Sequence, residues 1–280
     1  PWIRPPAEVY YQNNPLNTVN GLEFLIQLPA GPGTLSLQPY VGSNRDDIPN
    51  AGGAYFEAEN IYGLDVKYAG RGYSAHASYF QCDVKTFGGF LIEQSAFGPL
   101  AVDLNGEGEC EVSAVGFNLD MANVVVYAEW TDRTTTDELS RPFGDQTGWY
   151  TTLGYRFGRW LPHITYGMLD GEASTVSPGA VTVTGGPFDG ATFNFPVAIQ
   201  TSITAGLRYE LNDSAALKVE YQLVSVEDDQ QELADANQPG GVGGVPYVNY
   251  GLFNDDLVGF PGSLPTDDVG IFSVALDVIF

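Results

Sequence analysis

The feature that most constrains this chain is a strict alternation of apolar and polar residues, repeated in segments of about ten residues. In residues 148–157, for example, Trp149 and Leu153 alternate with Thr152 and Arg156. Because successive side chains of a strand point to opposite faces, such a segment predicts a β-strand with one apolar and one polar face. Eleven segments of this kind are found, at residues 20–28, 34–42, 60–69, 73–84, 111–120, 123–132, 148–157, 160–169, 198–211, 215–227 and 269–280.

The connections between these segments alternate in length. Short turns lie at 30–33, 70–72, 121–122, 158–159 and 212–214, and long loops lie at 43–59, 86–108, 133–147, 170–196 and 228–267. Short turns at one end and long loops at the other are typical of antiparallel up-and-down barrels that span a membrane. The pattern predicts an all-β transmembrane barrel as a single domain over residues 1–280, with residues 1–19 as an outer-loop segment.

Two further features favour a lipid-facing apolar surface over a soluble barrel with an apolar interior. Aromatic residues such as Trp130, Trp149 and Tyr209 lie near strand ends, as interfacial aromatic girdles do. Strands of about ten residues also suit a tilted crossing of the hydrocarbon layer. The mean hydropathy of −0.08 is compatible with this reading, because a barrel wall exposes an apolar side chain only at every second position.

The charge balance excludes nucleic acid as a partner. The chain carries 11 Lys and Arg against 35 Asp and Glu, a formal charge of −24, so a polyanion would be repelled. Catalytic motifs are also missing from the sequence, because no nucleophile elbow, phosphate-binding loop or metal-spaced cluster of Cys and His accompanies the two histidines. We therefore expect no enzymatic activity and no tightly bound cofactor.

The last segment resembles the C-terminal strand of Gram-negative outer-membrane proteins, whose terminal aromatic residue is read by the barrel-assembly machinery. In VGIFSVALDVIF the matching face carries Phe272, Val274, Leu276, Val278 and Phe280. Residues 148–166 and 203–224 are similar to hairpins of general and phosphate-selective porins, and residues 1–10 resemble a segment of uncharacterised porin-like proteins. The resemblance implies location in the bacterial outer membrane, contact with lipid and lipopolysaccharide, and a homotrimer.

Strand parity bears on the size of the barrel. If the final strand ends in the periplasm, counting back through the eleven strands makes residues 20–28 a strand that runs from the outer surface towards the periplasm. We therefore expect N-terminal strands outside this sequence and about sixteen strands in the complete barrel. A closed barrel of twelve strands is the alternative.

The polar face predicts a water-filled lumen of mixed charge. Arg156, Arg208 and Lys218 could form a basic ladder on neighbouring strands that guides anions, or they could make ion pairs along the barrel wall. The acidic net charge points to the opposite possibility, a modest cation preference. The residues predicted to line the pore are Glu23, Asp65, Lys67, Glu129, Arg156, Arg208, Glu210, Lys218 and Glu220.

Two weaker site predictions concern the loops. Glu107, Glu109 and Glu111 would share one face if extended and could hold Ca²⁺ or Mg²⁺, although solvated loop charge is the simpler reading. Cys82 and Cys110 are the only cysteines, and they are either two unpaired buried thiols or one disulfide that staples a loop in an oxidising periplasm.

Three functions follow from these observations. The first is a porin that passes ions and small polar solutes, with loop 86–108 or 170–196 folded into the lumen. The second is a plugged or structural barrel that serves as a scaffold for a partner complex. The third, a secreted all-β binding module, is disfavoured by the C-terminal strand.

Overall fold

The computed structural model describes residues 2–10, 18–47, 53–92, 100–103, 105–136, 145–172, 181–182, 192–193, 200–226 and 269–278. Within these ranges the chain forms one short helix and sixteen strands. In chain order they are α1 (Ala7–Tyr10), β1 (Asn20–Glu23), β2 (Ile26–Ala30), β3 (Gly33–Asp47), β4 (Tyr55–Gly70), β5 (Tyr73–Phe87), β6 (Gly89–Ile92), β7 (Leu100–Asp103), β8 (Gly106–Met121), β9 (Val124–Thr135), β10 (Asp145–Tyr155), β11 (Trp160–Glu172), β12 (Val181–Thr182), β13 (Thr192–Phe193), β14 (Gln200–Asn212), β15 (Ala215–Val226) and β16 (Val269–Val278).

Twelve of these strands build one antiparallel up-and-down sheet, in the order β1-β3-β4-β5-β8-β9-β10-β11-β14-β15-β16, with β2 also paired to β3. The predicted strand 20–28 is thus interrupted at Phe24 and Leu25, and its two parts pair with successive stretches of β3. Among the described residues, β1 with β2 forms one edge of this sheet and β16 forms the other. The fold predicted from the sequence is therefore confirmed in class and connectivity.

Tight turns join the strands at the short-connection end. Gly31 and Gly72 have φ angles of 58° and 81°, which glycine adopts without the clash that a Cβ would cause. Between β8 and β9, Ala122 and Asn123 are both at positive φ, the backbone of a two-residue hairpin turn that matches strand twist. These turns hold consecutive strands in register.

At the opposite end the strands run further than the alternation predicted. The loop expected at 43–59 begins only after Asp47, and β4 starts at Tyr55. The backbones of β3 and β4 remain paired at this end, although both faces of the strands carry polar and apolar side chains. Because the side chains do not alternate in polarity, the sequence gives no sign of these strand ends. Parts of the loops expected at 86–108 and 170–196 form β6, β7, β12 and β13, which make a second sheet in the order β13-β12-β7-β6.

The two faces of the large sheet are reversed relative to a soluble protein. Leu153 and Ile164 are neighbours across β10 and β11, yet they are 54% and 52% exposed. The adjacent row of threonines, Thr152, Thr165 and Thr204, is buried on the other face. We call the apolar exposed side the outer face and the other the inner face. Exposed apolar residues of the sheet include Leu22, Leu28, Val41, Leu64, Tyr79, Val115, Phe117, Leu153, Ile164, Ile203, Leu217, Phe272 and Leu276.

One apolar cluster lies on the inner face, at the long-loop end of β4, β5 and β8. Its buried members are Phe56, Ala58, Ile61, Phe80, Cys82, Val84, Cys110 and Val112. Irregular pairing between Glu59 and Tyr62, with Asn60 at a φ of 51°, accompanies the change of character along β4. Within the described ranges, no helix combines the length and apolar content that a bilayer crossing requires.

The reversed faces predict a larger loss of stability for a charge placed on the outer face than for one placed on the inner face. Ile164→Lys puts an ammonium on the exposed outer face and should cost about 2–4 kcal/mol of unfolding free energy in lipid vesicles. The matched change Asn118→Lys, on the inner face of β8, should cost about 1 kcal/mol, the value of its hydrogen bond to Ser74. Urea unfolding of both variants in vesicles checks this, and equal losses would contradict the assignment of faces.

Candidate functional site

Residues 2–10, which we call the inner segment, lie against the inner face of the sheet. Helix α1 contacts β9, β10 and β11, and its first turn is closed by hydrogen bonds from the Val9 and Tyr10 amides to the Pro6 carbonyl. Proline before a first helical turn is preorganised, since its φ is already helical. The sequence predicted an outer-loop segment over residues 1–19, of which residues 2–10 lie on the inner face and residues 1 and 11–17 are outside the described residues.

The contacts of Trp2 show that the sheet curves around the inner segment. The indole ring meets Tyr127 of β9 edge-on at 5.0 Å, while the Trp2 carbonyl accepts a hydrogen bond of 2.7 Å from Lys218 of β15. Between β9 and β15 lie four strand spacings, about 19 Å on a flat sheet. One residue can reach both strands only if the inner face is strongly concave, which makes it the wall of a lumen.

The start of the inner segment is held by three elements of the wall. The Trp2 indole N–H donates to the hydroxyls of Thr152 (2.8 Å) and Thr165 (3.2 Å). The Ile3 amide donates to Oε1 of Glu220 at 2.7 Å, next to the contact from Lys218. Backbone groups that would otherwise be unpaired are thereby satisfied by strand side chains.

The end of the inner segment is held by Glu129 of β9. The Tyr10 hydroxyl donates to Oε2 of Glu129 at 2.5 Å, and the hydroxyl of Tyr150 donates to the same oxygen at 3.3 Å. Burial of the phenol and the adjacent Glu129 carboxylate raise the pKa of Tyr10 to about 12. Tyr10 therefore remains a neutral donor throughout the physiological pH range.

Glu8 fits into the wall between two glycines. Its side chain is fully buried, and Oε1 accepts a hydrogen bond of 3.0 Å from Gln200. Oε2 has no hydrogen-bond partner among the described residues. A Cβ on Gly148 would lie 2.3 Å from the Glu8 carbonyl oxygen, and a Cβ on Gly167 would lie 2.8 Å from Oε2. At position 148 only glycine leaves room for the backbone of α1, whereas at position 167 a Cβ would meet the end of the Glu8 side chain.

The predicted basic residues of the wall are paired with acids of the same wall. Arg208 lies opposite Lys218 in the register of β14 and β15. Lys218 contacts Asp277 at 2.8 Å, and Arg208 contacts Glu210 at 2.6 Å. Arg156 forms an ion pair with Asp120. These acids lie in the strands, so the three basic residues form ion pairs along the wall.

The predicted acids Glu23 and Asp65 lie elsewhere on the inner face. Glu23 accepts a hydrogen bond of 2.9 Å from Gln38, and Asp65 is the register partner of the same Gln38. Within the described ranges neither carboxylate has a cationic partner within 4.0 Å, although Lys67 is exposed on the same strand as Asp65. The predicted pore-lining residues thus share one face, but they form separate groups.

The remaining predicted sites are placed as follows. Phe272, Val274, Leu276 and Val278 alternate along the exposed face of β16, while Phe280 lies outside the described residues. Glu107, Glu109 and Glu111 are exposed at the start of β8, and the described part of the chain contains no group of three metal-ligating side chains arranged to bind an ion. Cys82 and Cys110 are directly opposite each other on β5 and β8.

A family model described as Gram-negative porin matches residues 30–229, more than half of the chain. The chain belongs to the Gram-negative porin family. It is therefore a protein of the bacterial outer membrane, and its large sheet is a porin wall with the lumen on the inner face. Among curated proteins no match was found.

Two solved structures resemble this porin weakly. OmpT, an outer membrane protein of Vibrio cholerae, is 12% identical with a TM-score of 0.42, over 68% of this chain and 54% of that one. The beta domain of the Bordetella autotransporter BrkA is 14% identical with a TM-score of 0.38, over 74% of this chain and 82% of that one. The porin chain thus spans about half the length of the OmpT structure.

The glycines beside Glu8 allow a test of the inner segment. Gly148→Ala would place a Cβ against backbone and should displace α1, at a cost of about 1–3 kcal/mol in the docking of the segment. Hydrogen exchange of the peptides covering residues 2–10 should then rise. Gly154→Ala is the control, because on the same strand and face its Cβ would meet Leu161, His163 and the Pro162 carbonyl oxygen no closer than 3.1 Å, and none of these atoms belongs to α1. Unchanged exchange in Gly148→Ala would show that the segment does not dock there.

Proposed function

We propose that this porin is a passive diffusion channel for ions and small polar solutes, narrowed by the inner segment. The observation that carries the proposal is the reversal of the two faces, with hydroxyls and charged groups inside and exposed aliphatic side chains outside. Such a wall suits water on one side and lipid on the other. The proposal assigns the chain no enzymatic activity and no bound cofactor.

We propose further that the channel prefers cations. Arg156, Arg208 and Lys218 are each neutralised by a neighbouring carboxylate, which leaves little net positive field from the ladder. Glu23 and Asp65 supply negative charge to the same space, and the whole chain carries −24. A lumen with surplus carboxylates attracts cations and delays anions.

A plugged or scaffold barrel is the second candidate, and one observation favours it. The inner segment occupies the wall from β9 to β15 with an indole, a tyrosine and a helix turn, so it takes up space that a solute would need. In that case the protein would insert into membranes without conducting. The third possibility, a secreted binding module, is not retained for a member of an outer-membrane family.

The partners proposed for this porin come from its family resemblance. They are two further copies of the chain in a trimer, lipid and lipopolysaccharide on the outer face, and the barrel-assembly machinery at the C-terminal strand. Divalent cations could bridge exposed acids such as Glu107 and Glu109 to lipopolysaccharide.

Single-channel recording of the full-length protein in a planar bilayer tests the proposed function. We expect discrete conductance steps in groups of three and a reversal potential of cation-selective sign under a salt gradient. The double variant Glu23→Gln with Asp65→Asn should reduce the cation-to-anion permeability ratio about two- to fivefold, because it removes the unpaired carboxylates. Insertion without conductance would reject the diffusion channel in favour of the plugged barrel.

A further inference from the structure

The two histidines of the chain occupy equivalent positions in two matching rows across the sheet. His76 of β5 is the register partner of Gly116 of β8, which is the register partner of Glu129 of β9. His163 of β11 is likewise paired with Gly206 of β14, and Gly206 with Glu220 of β15. The order His, Gly, Glu on three adjacent strands therefore occurs twice on the inner face.

In both rows the imidazole lies over the glycine and approaches the carboxylate. A Cβ on Gly116 would be 2.1 Å from Cε1 of His76, and a Cβ on Gly206 would be 2.2 Å from Cε1 of His163. The Nε2 atoms reach to 3.6 Å from Glu129 and 3.7 Å from Glu220. Each glycine is thus the gap through which a histidine reaches a carboxylate two strands away.

These two glutamates are the groups that hold opposite ends of the inner segment. Glu220 accepts the Ile3 amide near the start, and Glu129 accepts the Tyr10 hydroxyl at the end. A carboxylate can serve as a fixed acceptor only if its own rotamer is restrained. The imidazole Nε2 lies 3.6 Å from the Glu129 carboxylate and 3.7 Å from that of Glu220. Glu129 also accepts a hydrogen bond from Tyr150, and Glu220 interacts electrostatically with Lys218.

We propose that His76 and His163 are positioning residues that orient Glu129 and Glu220, so that each row independently fixes one end of the inner segment. The consequence for the pore rests on the proposed function, in which the inner segment narrows the lumen. The two rows would then decide how firmly that segment is held. For the docking of the segment it stands on the geometry alone.

Peptide-resolved hydrogen exchange of the full chain in vesicles tests the two rows separately. Gly206→Ala should push the His163 ring aside and raise exchange at residues 2–4 about tenfold, as expected for loss of one charged hydrogen bond. Gly116→Ala should do the same at residues 8–10 and leave residues 2–4 protected. A merely structural role would loosen both ends and the strands together, and that result, or unchanged exchange, would overturn the proposal.

A double variant separates positioning from steric strain. If Gly116→Ala acts only by a clash, combining it with His76→Ser should restore protection, because the smaller side chain removes the clash. If the imidazole itself positions Glu129, the double variant should exchange as fast as His76→Ser alone. Single-channel recordings of the same variants should show larger or noisier openings. Altered exchange in a protein that never conducts would uphold the rows and reject the diffusion channel instead.

A second inference rests on a separate observation, the register of the cysteines. Cys82 and Cys110 are direct register partners on β5 and β8, and both side chains belong to the buried apolar cluster of the inner face. Opposed residues of antiparallel strands have Cα atoms about 4.5–5.5 Å apart, within the range that a disulfide spans. The described thiols are free, and both are buried.

We infer that the two thiols become a disulfide before the barrel closes over them. An exported chain meets periplasmic oxidants while it is unfolded, and within residues 1–280 the one intramolecular pairing is between Cys82 and Cys110. One Cys thiolate attacks the disulfide of an oxidant protein and releases one of its thiols; the second Cys then displaces the other. The S–S bond forms, and the oxidant carries away two electrons and two protons as its dithiol.

Thiol labelling of protein purified from outer membranes tests the disulfide. The protein is denatured in the presence of an alkylating reagent, with or without prior reduction. We expect no label on Cys82 and Cys110 without reduction and one label on each after reduction. A Cys110→Ala variant should take one label on Cys82 without reduction, which controls for reagent access. Two labels on the unreduced protein would overturn the inference.

Discussion

A chain that crosses hydrocarbon must pair every backbone amide and carbonyl within the protein, because the lipid offers no hydrogen bonds. In this porin the antiparallel ladder from β1 to β16 meets the requirement for the strands between its two edges. In the same ladder successive side chains point to opposite faces. The side of the sheet that meets lipid therefore determines which residues are apolar and which are polar. Exposed Leu153 and Ile164 and buried Thr152 and Thr165 are adjacent positions of the same two strands.

The inner face is shaped by side-chain contacts that do not follow from backbone pairing. Glycines at 116, 148, 167 and 206 open gaps in the wall, and each gap is occupied by a side chain or by the inner segment. Paired charges such as Lys218 with Asp277 then cover part of the remaining surface. The wall therefore combines a repetitive scaffold with a few non-repeating positions that hold the segment in place.

How much of this could be read from the sequence depends on the range of the interactions. Strand faces are local, and Glu129, Arg208 and Glu220, which alternation assigns to the polar side, lie on the inner face of the sheet. Trp2, Glu8 and Tyr10 were missed, because their partners lie more than one hundred residues away and leave no periodic signal. The clue available in the sequence was an indole, a carboxylate and two prolines in a stretch assigned to an outer loop.

The docking of the inner segment also has a consequence for the order of folding. The hydrogen bond between Ile3 and Glu220 joins residues 217 positions apart. Contacts of such separation form late, since the entropy of closing the intervening chain must first be offset by local pairing. The first residues of the described chain can settle only after β15 is in place. On the proposed function, in which the inner segment narrows the channel, that narrowing is a late step of biogenesis.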